Sequence, residues 1–340
     1  MTFYADSLAF LNLPMQPPIA VPELPQHLNL AICTAAIPVG LNFGQTLESV
    51  HDFRLCIEKQ DHLQLILSQG DLRYLSRVSG VTGVVLSLQN MPTPDNGIAN
   101  GLKQFYDAGV RVLTPCYEDT NNFGGGFLTP QQPLTEEGWH LIEQSAQLGM
   151  IIDLSHVGLM SAQSVLHFGE LRHNSDCKPK LMASHGGIAD IFAGTTDPAR
   201  PRNLPLDLLK RLVAVGGLVG IYTLTFGLDE SHDGIGPFLW HLSKAVRELG
   251  SANVCIGSDA VYHEVDTGAQ AVQFEKMRAK LDPTGVKGSR SPDTMPQFNT
   301  VERMPRIKTS LVAAHLGPAE VREDILGESL RRWLLANLPE

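Results

Sequence analysis

The chain has 340 residues, 43% hydrophobic and 18% charged, so it can bury a large core. Its formal net charge is -10, and no Lys/Arg cluster offsets that balance, which argues against a nucleic-acid or anionic-membrane surface. No apolar run is long enough to span a bilayer. The start, Met1–Asp6, lacks the basic and apolar regions of a secretory signal, and the five cysteines show no CxxC spacing, so a reducing, cytoplasmic setting is expected.

Short apolar, β-branched runs recur along the chain. The first two, Thr2–Ala5 and Leu28–Cys33, flank a Pro-rich stretch, Leu13–Gln26, expected as loop. Gly83–Leu88 and Val110–Leu113 come next. Leu134–Leu148 predicts a helix, with Thr135 as cap, two acids behind it and apolar residues at about 3.6-residue spacing. After the runs Met150–Leu154 and Lys180–Ala183, a second helix is expected over Asn203–Val215, with Pro205 early and Gly216 just past its end. The run Gly217–Tyr222, a helix over Phe238–Leu249 and the run Asn253–Ile256 follow. Asp282–Pro305, rich in Pro, Gly, Ser and Thr, reads as a long loop before a last helix, Pro318–Leu335.

Most of these runs are too short for helices and too continuously apolar for half-exposed strands, so they read as strands buried on both faces. Strands alternating with helices mean a parallel sheet, and eight of them suggest closure into a (β/α)₈ TIM-type barrel, one domain over residues 1–340. An open doubly wound sheet is the runner-up, but it lacks a GxGxxG turn.

Barrel enzymes carry their chemistry at the carboxyl ends of the strands. The fifth run ends Asp153-Leu154-Ser155-His156, the sixth Ala183-Ser184-His185, the eighth Gly257-Ser258-Asp259. Two imidazoles and a carboxylate on one rim suit zinc or a similar divalent ion, which acidifies bound water, and Asp259 can accept the proton. A single His after a strand is more often a hydrogen-bonded structural residue; three candidates at three strand ends weigh against that. The remaining histidines, such as His27, His51, His140, His167 and His315, fall on predicted helices or loops and read as surface or core-edge residues.

The stretch Leu134-Thr135-Glu136-Glu137-Gly138 through Leu148–Val157 resembles the signature of the membrane (renal) dipeptidase family. So do Lys180–His185, Pro201-Arg202-Asn203-Leu204-Pro205, Gly216–Ile221, Val254–Asp259 and Ile325–Leu330, in the same order along nearly the whole chain. The resemblance implies a two-zinc (β/α)₈ hydrolase of dipeptides and related amides. It implies His156 and His185 as ligands of one metal, Asp259 as ligand or general base, and Arg202 as the group gripping a substrate carboxylate, a task for which a guanidinium fork is suited. Arg202 can equally be a solvated loop charge.

The departures from the family pattern are specific. Its first strand ends in His-x-Asp, where this chain has Leu8 and Phe10 in Asp6-Ser7-Leu8-Ala9-Phe10. Its metal-bridging Glu corresponds to Gln89, its next His to Tyr117, and an Asn of the closing helix to Ser329. The expectation is therefore a metal-dependent hydrolase with zero or one divalent ion, zinc, per chain. Gln89, Tyr117 and Tyr222 would join Arg202 around a small substrate bearing a carboxylate. The rival from another class is an inactive barrel that binds a small ligand or partner. A third reading is another reaction on the same scaffold, deamination or lactone hydrolysis. No nucleic-acid or membrane partner is expected, and a homodimer stays open.

Overall fold

The computed structural model describes the chain apart from residues 1, 11–24, 26, 37, 39, 176, 193–201, 229–233 and 263–294. Ten strands form one parallel sheet: β1 (Tyr4–Phe10), β2 (Leu28–Thr34), β3 (Leu63–Leu65), β4 (Thr82–Leu88), β5 (Val110–Leu113), β6 (Ile151–Asp153), β7 (Lys180–Gly186), β8 (Leu218–Ile221), β9 (Val254–Ile256) and β10 (Ala260–Val261). Their order is β10-β1-β2-β4-β5-β6-β7-β8-β9, with β3 added beside β4. Only residues 257–259 separate β9 from β10, and β10 pairs with β1, so the two ends of the sheet meet.

Closure is visible in the packing. Ala5, Leu30, Val85, Val112, Ile151, Met182, Leu218 and Cys255 come from eight different strands and share one buried cluster, an arrangement that needs a sheet curled on itself. A larger cluster from the opposite strand faces packs under the helices. The barrel is narrow near its top. A Cβ on Gly220 or Gly257 would collide with the Ser184 carbonyl oxygen, so glycine is required there for the strands to approach.

The described helices are α1 (Phe43–Glu58), α2 (Gln69–Leu75), α3 (Ile98–Ala108), α4 (Glu136–Leu148), α5 (Leu159–Leu171), α6 (Leu206–Ala214), α7 (Thr225–Leu228), α8 (Gly236–Leu249), α9 (Arg303–Ala313), α10 (Ala319–Glu323) and α11 (Ser329–Asn337). Thr135 caps α4 as expected, its side chain accepting from the Gly138 N–H. No described helix is long and apolar enough to cross a membrane.

Several expectations need correction. The first strand does not stop at Ala5. It runs to Phe10, because Asp6 and Ser7 find hydrogen-bond partners inside the barrel: Asp6 accepts from the Ser258 N–H and the Tyr262 hydroxyl, and the Ser7 hydroxyl faces the Ser184 and Ile256 carbonyls. The second predicted helix begins at Leu206, after Pro205, which fixes its entry. The last predicted helix is broken at Asp324–Glu328, where Gly327 leaves the helical conformation and lets the Phe3 carbonyl approach. Part of the expected loop before it is helical, since α9 starts at Arg303; residues 282–294 lie outside the description, as do 13–24 and 26 of the Pro-rich stretch. Helices α1, α2, α3, α5, α7 and α9 add to the predicted set.

Candidate active site

The predicted residues meet at the carboxyl ends of the strands. Gln89 follows β4, Tyr117 lies beyond β5, His156 three residues past β6, His185 near the end of β7, Tyr222 directly after β8 and Asp259 three residues past β9. Arg202 arrives from the segment between β7 and α6. His156, His185, Gln89, Tyr222 and Arg202 are buried, while Tyr117 and Asp259 keep part of their surface.

His156 Nε2 and His185 Nε2 stand 2.9 Å apart, and Gln89 Nε2 is 3.5 Å from the same His185 nitrogen. Tyr117 stacks on the His156 ring with centroids 4.0 Å apart and planes at 27°. Asp259 Oδ1 lies 3.9 Å from His185 Nε2, and its Oδ2 accepts from Arg202 Nη2 at 3.0 Å. The Arg202 guanidinium sits between the rings of Phe127 and Tyr222, 5.8 and 5.7 Å from their centroids. Its Nη1 is buried and has no hydrogen-bond partner among the described residues.

Tyr222 does not line an open pocket, as was expected of it. It is fully buried, and its hydroxyl donates to Asn203 Oδ1 at 2.6 Å. Asn203 also accepts from the Gly187 N–H and donates to the Gly227 carbonyl, so it ties the Arg202 segment to the loop after β7 and to the short helix α7. Reasoning from the sequence gave no role to Asn203 or Phe127, nor to Asp153, Ser155 and Ser184, which lie behind the histidines. The Ser155-His156 and Ser184-His185 pairs, with Asp153 close by, were the available signal for the last three.

The electrostatics follow from burial. His185 is held well below the usual histidine range, first by burial and then by the Arg202 charge, so its imidazole is neutral. Burial pushes Asp259 up to about 6, with the Asp6 and Asp153 charges in the same direction and Arg202 opposing. His156 and Asp259 both have a left-handed backbone, with φ of 67° and 55°. Such a conformation is uncommon for non-glycine residues and concentrates at functional sites.

The donors fit a divalent ion only in part. Two nitrogens bound to one tetrahedral zinc lie about 3.3 Å apart, given Zn–N bonds of about 2.0–2.1 Å. The 2.9 Å between the imidazole nitrogens is close to that span. Asp259, the carboxylate beside the histidines among the described residues, is committed to Arg202, and no group of three His, Cys, Asp or Glu side chains among those residues forms a ready-made metal centre. At the other candidate positions Leu8 and Phe10 offer no donor and Gln89 offers only a neutral amide.

Residues 25–281 match the model of the family described as Membrane dipeptidase (Peptidase family M19), which is more than half of the chain, and the protein belongs to that family. Among individual relatives, an uncharacterized protein in the pqqA 5' region of Klebsiella pneumoniae is 28% identical over 61% of this chain and 74% of its own length. Dipeptidase verJ of Clonostachys rogersoniana is 25% identical over 63% of this chain, and the match spans only 52% of that enzyme. The crystal structure of an amidohydrolase from Pseudomonas aeruginosa superposes with a TM-score of 0.77 at 20% identity, covering 99% of this chain and 96% of the other, a likeness of fold.

Proposed function

We propose that this chain is a hydrolase of small amides of the dipeptide type that works with at most one divalent ion, zinc being the chemical fit, held by His156 and His185. The observation that carries the reading is the convergence of two buried imidazole nitrogens on one point, with Asp259 Oδ1 3.9 Å from one of them. Family membership and similarity to a named dipeptidase support it.

When bound, such an ion acidifies a water and polarises a carbonyl. The chain's own groups do the rest. Asp259, with a pKa of about 6, is ionised at neutral pH, takes the proton of the attacking water and can return it to the leaving amine. Arg202 keeps Nη1 available for a substrate carboxylate while Nη2 holds Asp259. Gln89 presents its amide beside His185, and the Tyr117 ring fixes the plane of His156. No disulfide joins any of the five cysteines, which suits a reducing compartment such as the cytoplasm.

The test combines elemental analysis of protein purified without chelators with a dipeptide panel in added zinc, manganese or cobalt. The expected result is no more than one ion per chain, and slow turnover that His185→Ala abolishes. Turnover that survives His185→Ala would overturn the reading, as would a protein that neither binds an ion nor cleaves any member of the panel.

A further inference from the structure

Behind His185 lies a chain of polar groups that the hydrolytic reading leaves unused. Asp153 closes β6 and is 2% exposed; Ser184 and His185 are 0% and 1% exposed. Asp153 Oδ1 accepts two backbone N–H groups, from Ser184 at 2.9 Å and from Ser155 at 3.0 Å. Its Oδ2 accepts the Ser184 hydroxyl in a short hydrogen bond. The same Ser184 Oγ is 2.6 Å from His185 Nδ1.

A proton count orients this chain. A serine hydroxyl has one proton, and a carboxylate can only accept. Burial raises the Asp153 pKa, but the two N–H groups aimed at Oδ1 and the serine hydroxyls beside it oppose that and favour the ionised form, so the Ser184 proton goes to Oδ2. Ser184 Oγ must then accept from His185, which places a proton on His185 Nδ1. Neutral imidazole carries only one N–H, so His185 Nε2 is left with a lone pair. The other side agrees: His156 Nε2 and Gln89 Nε2 both stand at that nitrogen, 2.9 and 3.5 Å away, and both can donate.

We propose that Asp153 and Ser184 are positioning residues that lock His185 in its Nδ1–H tautomer and so present the Nε2 lone pair to the barrel mouth. The use of that lone pair for an ion rests on the function proposed above; the tautomer does not. In the chain without metal, His156 donates from Nε2 to His185; for both rings to face an ion, His156 would have to carry its one proton on Nδ1 instead. A partner that fixes the tautomer of a ligating histidine contributes about 10- to 100-fold in metal affinity in other sites.

The tautomer can be read directly from long-range proton–nitrogen NMR correlations of chelator-treated, 15N-histidine-labelled protein. The His185 signal is assigned by its loss in His185→Gln. Wild type should show a protonated Nδ1 and a bare Nε2. Asp153→Asn is isosteric, and its amide oxygen must stay toward the two backbone N–H groups. Its NH₂ then donates to Ser184, the hydroxyl turns toward His185 Nδ1, and the imidazole proton moves to Nε2. Zinc affinity, measured by competition with a chromogenic chelator, should fall at least tenfold. A wild-type His185 protonated on Nε2 would overturn the proposal, and needs no variant to fold. So would an Asp153→Asn protein, folded by circular dichroism, that keeps Nδ1–H. If the tautomer switches as expected but wild type binds no zinc, this proposal stands and the metal reading fails.

Discussion

The φ of 67° at His156 places an L-residue where its Cβ crowds the backbone, at a cost of about 1–2 kcal/mol that glycine escapes. His156→Gly should therefore be more stable than His156→Ala by about 1 kcal/mol, although both lose the ring. Urea unfolding of the two variants checks this, and an alanine variant as stable as the glycine one would show that the backbone there is unstrained. Arg202 and Asp259 form a mostly buried pair, with side-chain exposures of 5% and 9%. Removing one partner leaves the other charge uncompensated, so Arg202→Ala should lose about 3–5 kcal/mol at neutral pH. A loss below about 1 kcal/mol, typical of a surface pair, would mean that the pair is solvated in solution. His156, His185 and Asp259 were read as residues at strand ends, Arg202 and Tyr117 were read from the family resemblance, and Phe127 was not read at all. Their mutual engagement was not legible: that Tyr222 braces Asn203, or that Asp259 is held by Arg202, depends on contacts between positions 19 and 57 residues apart. Spacing along the chain does not encode such contacts.

At the level of elements, strand β1 shows what the pattern misses. Asp6 and Ser7 look like a strand end, yet they sit at the seam where β1 meets β9 and β10. Asp6 accepts from Ser258, Leu8 and Tyr262, and the buried Arg303 bonds to the Val261 and Phe298 carbonyls beside it. Polar residues continue a strand when their partners are other strands of the same barrel, which a linear reading cannot see. The apolar runs were legible because both faces are covered. Helix α1 carried a readable signal too, an Asn42–Gln45 capping box ahead of the apolar positions Val50, Phe53 and Ile57. The seam has a pH consequence. Burial raises the Asp6 pKa, with hydrogen bonds to Ser258 and the Arg303 charge opposing it. The folded chain thus keeps this proton to higher pH than the unfolded chain, and stability falls as pH rises out of the ordinary carboxylate range at about 4. Asp6→Asn keeps an acceptor for the Ser258 and Leu8 N–H groups and turns its amide toward the Tyr262 oxygen. Relative to wild type, it should gain stability between pH 4 and pH 7, measured by denaturant midpoints across that window (about 4 being the unperturbed value). A difference that does not change with pH would mean that Arg303 fully offsets the burial of the charge.

For the whole molecule, the question is how many cations the barrel mouth can hold. Two divalent ions working together stand about 3.5–4 Å apart and repel unless anionic oxygen lies between them. Gln89 stands beside His185, and on the first strand, where the resemblance implies a His and an Asp, the chain has Leu8, 1% exposed, and Phe10. Among the described residues, the carboxylate beside the histidines, Asp259, is already matched to Arg202, whose positive charge disfavours a further cation. Gln89→Glu restores a negative centre but no outer ligands, and it buries a carboxylate beside Asp259. We predict that this variant still binds no more than one ion per chain by elemental analysis, and that it melts lower than wild type in the presence of a chelator. We predict also that wild type cleaves ordinary dipeptides slowly. Losing one oxyanion donor costs roughly 100- to 1,000-fold, and losing a metal should cost at least as much. Adding His at position 8 and Asp at position 10 to Gln89→Glu supplies the missing donors, so a second ion is expected only in that triple variant. A second tightly bound ion in Gln89→Glu alone would show that other residues complete the site and that the apolar first strand does not set the metal count.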